Sequence, residues 1–354
     1  MVIPFDYALA LVSGALLALS FPRFGHPAFA WIALVPLLVA LTGWNGRTPG
    51  ARRSFLLGLA SGFVYFAGTL YWTGTVIRTF GGIPLPAAVL GVCLLALYQG
   101  FFPALFALLS SRLLAHAGLA ALLLAPAAWV ATEFFRGVVF GGFPWVLLGD
   151  SQVTVLPVAQ LASVLGVYGV SGLVALVNAT IAYATLTTGR RRVAAFAAGA
   201  VVLAGTALWG TLRIADGALI RSGTPIRVGL IQANIAQEDK WKGGEARRIF
   251  TTYIAMTRDA VRRGAEYIIW PESSTPFTFE DPLADPQGDE MMRQLAREVR
   301  VPILFGSDQV IRRQPVETSE LYNAAYQLDT EPLCRLLEEA STRALEVMVR
   351  TLER

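Results

Sequence analysis

Glu272 is the residue on which chemistry can be built. It follows the run Glu266-Tyr267-Ile268-Ile269-Trp270-Pro271. Tyr267 to Trp270 are four consecutive apolar residues and read as a strand covered on both faces. Pro271 has no N–H and ends the ladder there. Glu272 then falls just past the carboxyl end of a strand, where open α/β sheets place their chemistry. Beside Trp270 and near Phe277 its carboxylate is expected to be partly desolvated, which raises its proton affinity toward that of a general base. The competing reading is a solvated strand-end glutamate, the better one for an isolated motif; the surrounding sequence reverses it.

The two cysteines, Cys93 and Cys334, suggest neither a disulfide framework nor a zinc site. Cys334 is the tempting nucleophile. It follows Pro332 closely and sits in a helical pattern among Leu333, Leu336 and Leu337, where a thiol is usually packing. No metal or cofactor is called for.

These residues belong to a chain of two characters. The 354 residues are 55% hydrophobic and only 15% charged, against about 25% charged in an ordinary soluble domain, and the mean hydropathy is +0.54. Charges are sparse up to about Leu212 and dense beyond Arg221. The net charge of +4 is too small to argue for nucleic acid. The expected organisation is a transmembrane helical domain over 1–214, a linker over 215–224, an α/β domain over 225–329 and a charged helical tail over 330–354.

Seven apolar segments approach or exceed the ~20 residues of a spanning helix. They are Tyr7–Phe21, Pro27–Trp44, Phe55–Ile77, Pro84–Leu113, Gly118–Phe135, Leu156–Thr187 and Val193–Leu212. The first lacks the basic leader of a signal peptide and is read as a span. Those from Pro84 and Leu156 are too long for upright spans. They are expected to tilt or to include an interfacial piece such as Val153–Val158. Arg47, Arg52 and Arg53 lie in the second loop, Arg112 in the fourth, and Arg190, Arg191 and Arg192 in the sixth. The odd loops carry single arginines, Arg23, Arg78 and Arg136. The even loops are therefore cytoplasmic, and seven crossings put everything after Leu212 outside.

The fifth loop, Phe135 to Trp145, is too apolar for a free loop and suits the outer headgroup layer. Trp145 has two readings, the wall of a lipid-facing pocket or an aromatic interface anchor. Glu133 and Arg136, three apart near a helix end, are expected to pair with each other more readily than with a lipid headgroup. The glycines from Gly166 to Gly172 suggest close helix contact. In the polar part the expected order is a strand from Ile226 to Asn234, a helix over Glu245–Arg263 capped by Gly264, and the strand before Glu272. A helix over Asp289–Val299, a strand over Val301–Gly306 and a fourth over Leu321–Leu328 follow. The first three strands are expected to be parallel.

Several stretches together resemble the apolipoprotein N-acyltransferase family, membrane enzymes whose outer domain belongs to the nitrilase (carbon–nitrogen hydrolase) superfamily. They are Leu19-Ser20-Phe21-Pro22, Trp31 to Leu37, Thr132-Glu133-Phe134-Phe135-Arg136 and Gly142-Phe143-Pro144-Trp145 with Gly149 and Ser151-Gln152. Further on come Gln232-Ala233-Asn234-Ile235 with Lys240-Trp241, Ile269 to Glu272 with Pro276, and Tyr322-Asn323. The resemblance implies an αββα sandwich carrying a Glu–Lys–Cys triad. The thiol takes an acyl chain from a phospholipid as a thioester, and the amino group of a lipoprotein's S-diacylglyceryl cysteine then receives it. By position Glu272 matches the general base, and Trp145, Trp241 and Asn323 match positions tied to the site or its entrance. For Trp241 a surface-loop anchor and for Asn323 a strand-end turn are equally open. The implied location is the bacterial inner membrane, with the soluble domain outside. The resemblance stops at about Asp329. No lysine follows Lys242, and no segment similar to those carrying the family's lysine and cysteine is present. The expectation is a truncated or frameshifted member, inactive alone. A membrane-anchored nitrilase-type amidase of other specificity and a non-enzymatic polytopic protein are the alternatives.

Overall fold

Pro36 shapes the start of the fold. In the computed structural model, which describes residues 4–22, 24–43, 48–217, 223–236, 244–272, 274–275 and 286–306, the second apolar segment is broken into α2 (Ala30–Ala33) and α3 (Val35–Thr42). A proline removes one helical hydrogen bond and exposes carbonyls one turn back. Two neighbours bond the backbone around the break. Asn178 donates Nδ2 to Ala30 O at 2.8 Å, and Ser13 of α1 (Phe5–Leu19) donates Oγ to Ala33 O at 2.7 Å. Asn178 Oδ1 also accepts from Leu34 N at 2.8 Å. Polar side chains buried among apolar helices thus complete the backbone where water is excluded.

A close crossing joins α4 (Ala51–Leu70) to α6 (Leu85–Ala117). A Cβ on Gly58 would lie 2.5 Å from Pro103 O, and one on Gly62 would lie 2.7 Å from Gly100 Cα. Only glycine allows the two backbones to come this close. Leu57, Phe66, Phe106 and Trp129 fill the core around the crossing, with Leu34, Leu37, Leu38 and Leu41 from the second segment. The glycines of the sixth segment divide: a Cβ on Gly172 would lie 3.5 Å from Val130 Cγ2, a helix contact as expected, but Gly166 acts otherwise. Gly166 (φ +64) is a kink inside α9 (Ala162–Leu186), with nothing within 4 Å of an added Cβ. A short helix, α8 (Leu156–Ala159), precedes it.

The third apolar segment does not run to Ile77. It stops at Leu70, and α5 (Thr73–Gly81) follows as a separate helix with no buried residue. Thr75, Arg78 and Thr79 lie on one side of it and Val76, Ile77 and Phe80 on the other, which suits an interface better than a bilayer core. The fourth and fifth segments continue into one another through the 3-10 stretch Gly118–Leu124 and α7 (Ala125–Val138). Among the described residues, four helical stretches are long and apolar enough to cross a membrane. These are Ala51–Leu70, Leu85–Gly141, Ala162–Leu186 and Gly189–Asp216, the last being α10; Phe5–Leu19 and Pro27–Thr42 are shorter apolar helices.

The chain divides into two compact units, Met1–Ser222 and Gly223–Arg354. In the second, β1 (Val228–Leu230), β2 (Tyr267–Ile269) and β3 (Ile303–Leu304) form a parallel sheet in that order, with β2 central. α11 (Ala246–Arg262) joins β1 to β2, and α12 (Pro286–Val299) joins β2 to β3. Each helix carries an apolar stripe, and the two stripes meet the sheet in a core of Ile249, Phe250, Tyr253, Ile254, Ile268, Trp270, Met292 and Leu295. The fourth expected strand, Leu321–Leu328, lies outside the described residues.

Candidate functional site

Two places hold the candidate residues, one in each unit. In the first unit it is the loop from Phe143 to Gln152. The chain leaves α7 through Phe140 (φ 52), Gly141 (φ 85) and Gly142 (φ 76). A Cβ on Gly142 would lie 2.0 Å from Gly137 O, so the turn back onto α7 requires glycine. Beyond it, Val146 also has a positive φ of 52. A β-branched residue held there costs on the order of 1–3 kcal/mol and persists only where its surroundings over-determine it.

Those surroundings are buried polar side chains. Arg136, only 2% exposed, donates Nη1 to Trp145 O at 2.6 Å and to Phe143 O at 3.2 Å. Its guanidinium lies 5.1 Å from the centre of the Phe66 ring, a cation–π contact. Tyr65 donates its hydroxyl to Val146 O at 2.5 Å. Glu133 Oε1 accepts from Leu148 N at 2.7 Å, and Ser171 Oγ accepts from Gly149 N at 2.8 Å. Glu133 and Arg136 were expected to pair with each other; instead both are spent on this backbone. They lie three apart on one helix face, but the loop folds over that face and brings its own peptide groups within reach of each.

The loop presents Trp145, which is 53% exposed. Its ring stacks on Phe143 at 5.9 Å and against Trp72 at 5.2 Å. This geometry accommodates both the pocket-wall and the anchor reading of Trp145. Trp72 and Tyr65 were not singled out from the sequence. Trp72 had a signal, the Tyr71-Trp72 pair at a helix end, which is where interface aromatics gather. Tyr65 had none, because a tyrosine within an apolar run reads as core.

In the second unit, Glu272 follows β2 directly, at the carboxyl end of the central strand. Ile231 N donates to Ile269 O at 2.9 Å and Trp270 N to Leu304 O at 2.8 Å. The ladder therefore runs to Trp270 and ends at Pro271, as the missing N–H requires. The surroundings of Glu272 differ from the expectation. The Trp270 ring is buried under α11, 5.1 Å from the Tyr253 ring, with Nε1 donating to Thr257 Oγ1 at 2.8 Å. Glu272 itself sits in a turn and is exposed. Trp270 therefore does not cover the carboxylate, because its apolar surface is already committed to the helix. Trp241, Asn323, Phe277 and Cys334 lie outside the described residues.

Residues 13–180 match the family model described as the apolipoprotein N-acyltransferase N-terminal domain. That range contains Tyr65, Glu133, Arg136, Trp145 and Ser171. A protein of Geobacter metallireducens named apolipoprotein N-acyltransferase is 36% identical over 305 residues, covering 85% of this chain and 57% of the relative. A protein of the same name from Methylococcus capsulatus is 31% identical, covering 92% and 61%. One from Shewanella oneidensis is 34% identical, covering 76% and 49%. The chain thus spans about half to three fifths of the length of these curated relatives. A match of 305 residues exceeds the 222 of the first unit, so the likeness continues into the unit that carries Glu272. With both the membrane helices and the sheet sharing that ancestry, the chain belongs to the apolipoprotein N-acyltransferase family.

Proposed function

We infer that this chain carries the membrane part and the base-bearing part of an enzyme that moves an acyl chain from a phospholipid to a lipoprotein. The observation that carries the reading is Glu272 at the carboxyl end of the central parallel strand, in a chain of this family. The Glu272 carboxylate takes the proton of a cysteine thiol, and the thiolate attacks the ester carbonyl of the donor lipid. The lysophospholipid leaves with a proton, and the acyl group stays as a thioester. The N-terminal amine of an S-diacylglyceryl cysteine then loses a proton to the same carboxylate and attacks the thioester, which regenerates the thiol. A lysine stabilises the developing oxyanion. Trp145, Trp241 and Asn323 contact substrate in this reading.

The α/β unit is read as part of a nitrilase-like αββα sandwich. Leu230, Ile269 and Leu304 are in register on one face of the sheet, and Leu230 and Leu304 are 74% and 54% exposed. A second sheet packed on that face would bury them. The membrane part is read as seven crossings of the inner membrane, with the α/β unit outside, from the arginine bias of the even loops.

This sequence shows no match to the segments that carry the family's lysine and cysteine. The test therefore joins residues 1–329 to the corresponding remainder of a relative and expresses the chimera in a strain depleted of its own acyltransferase. Growth is expected to recover. Glu272→Gln is expected to lower turnover ~10²–10⁴-fold, the contribution of a positioned base, and to abolish rescue. Full rescue by the Gln variant would remove Glu272 from the mechanism.

A further inference from the structure

Charged side chains buried among apolar helices are costly unless hydrogen-bonded, and their partners show what they are used for. Arg136 and Glu133 are such residues, 2% and 4% exposed. They are not spent on each other. Arg136 Nη1 reaches Gln99 Oε1 at 3.5 Å, and both residues bond the main chain of one short loop: Phe143 O and Trp145 O for Arg136, and Leu148 N for Glu133. Tyr65, from a different helix, takes the carbonyl of Val146, the residue with φ 52. The carbonyls of Phe143, Trp145 and Val146 are thus held by groups from two helices, and the strained conformation of Val146 is kept in place. The ring these contacts aim is exposed and lies 5.2 Å from Trp72.

We propose that Arg136, Glu133 and Tyr65 are positioning residues for Trp145. They lock the backbone of residues 143–148 so that the indole is held against Trp72 as a rigid aromatic wall for a lipid acyl chain. The acyl-chain part rests on the reading of Trp145 as a substrate contact. The positioning part rests only on the hydrogen bonds and on Val146. One nitrogen, Nη1, makes the Arg136 contacts to the loop, so an ammonium on a lysine stem of similar reach can replace it.

The test uses the full chain in lipid nanodiscs, labelled with 5-fluorotryptophan and followed by fluorine NMR. Trp145→Phe and Trp72→Phe assign the two lines among the eight tryptophans. Arg136→Gln is expected to shift and broaden both lines while those of Trp209 and Trp270 stay in place. Tyr65→Phe is expected to shift the same pair by less, and Arg136→Lys to keep wild-type positions. A general packing role would instead disturb the tryptophan lines together. Unmoved Trp145 and Trp72 lines in both Arg136→Gln and Tyr65→Phe would overturn the proposal. Should Arg136→Gln fail to fold, Tyr65→Phe decides alone, since it removes one hydroxyl and no charge. In a second arm, phosphatidylethanolamine bearing a spin label on its acyl chain is added to the wild-type protein. Selective broadening of the Trp145 line is expected. No broadening would overturn the acyl-chain role, whereas the line positions would still judge the lock itself.

Discussion

At Gly142 a methyl group has no room. Gly142→Ala must move the Gly137 carbonyl or abandon φ +76, and a melting experiment in detergent is expected to show a loss of about 1–3 kcal/mol. Trp270→Phe is expected to cost a similar ~1–3 kcal/mol, because it removes the bond to Thr257 and leaves that hydroxyl buried without its partner. Glu266 gives a pH-dependent case. The N–H of Arg227, and then its guanidinium, hold the Glu266 carboxyl below its ordinary range. A carboxyl depressed by folding contributes stability that is complete above its unfolded value, about 4.3, and is lost as pH falls through the folded value. The difference in melting temperature between wild type and Glu266→Gln is therefore expected at neutral pH and should vanish in acid. High salt should shrink it, because the pair is exposed. The place of Glu272 was legible because Pro271 ends the ladder wherever it falls. Its exposure was not, because the direction in which Trp270 packs depends on Phe250, Tyr253 and Thr257, which arrive from a helix elsewhere in the chain.

At the scale of elements, the crossing of α4 and α6 depends on Gly58 and Gly62. Gly58→Leu would drive a side chain into Pro103 O and Ala107 Cβ, 2.5 and 2.6 Å from the first added carbon. The expected outcome is loss of the folded monomer in size-exclusion chromatography, whereas Gly50→Ala, with open space around it, should leave the profile unchanged. α5 makes a different prediction. Spin labels at Val76 and Phe80 should report lipid and labels at Thr75 and Thr79 water, as for a helix lying in the interface. The βαβαβ order and the two flanking helices were legible, since Ile249, Tyr253, Met256 and Ala260 repeat at helical spacing. The end of the third apolar segment was not. Hydropathy averages across Tyr71-Trp72-Thr73 and misses a break made by side-chain partners, such as Thr73 Oγ1 on Leu70 O at 2.7 Å.

For the whole molecule, the orientation follows from counting crossings, and one lost or gained helix reverses it. A cysteine introduced beside Glu272 is expected to react with an impermeant maleimide added outside intact cells stripped of their outer membrane; labelling only after lysis would place the α/β unit inside. The buried Arg136 also bears on how the chain is made. Arg136 and Glu133 lie toward the end of their helix, and burying them requires partners that take up their charge. Phe66 and Gln99 precede Arg136 in the chain, and the carbonyls of Phe143 and Trp145 follow within a few residues. The shelter of Arg136 is built from chain on both sides of it, and the earlier helices act as the solvent into which the later one dissolves.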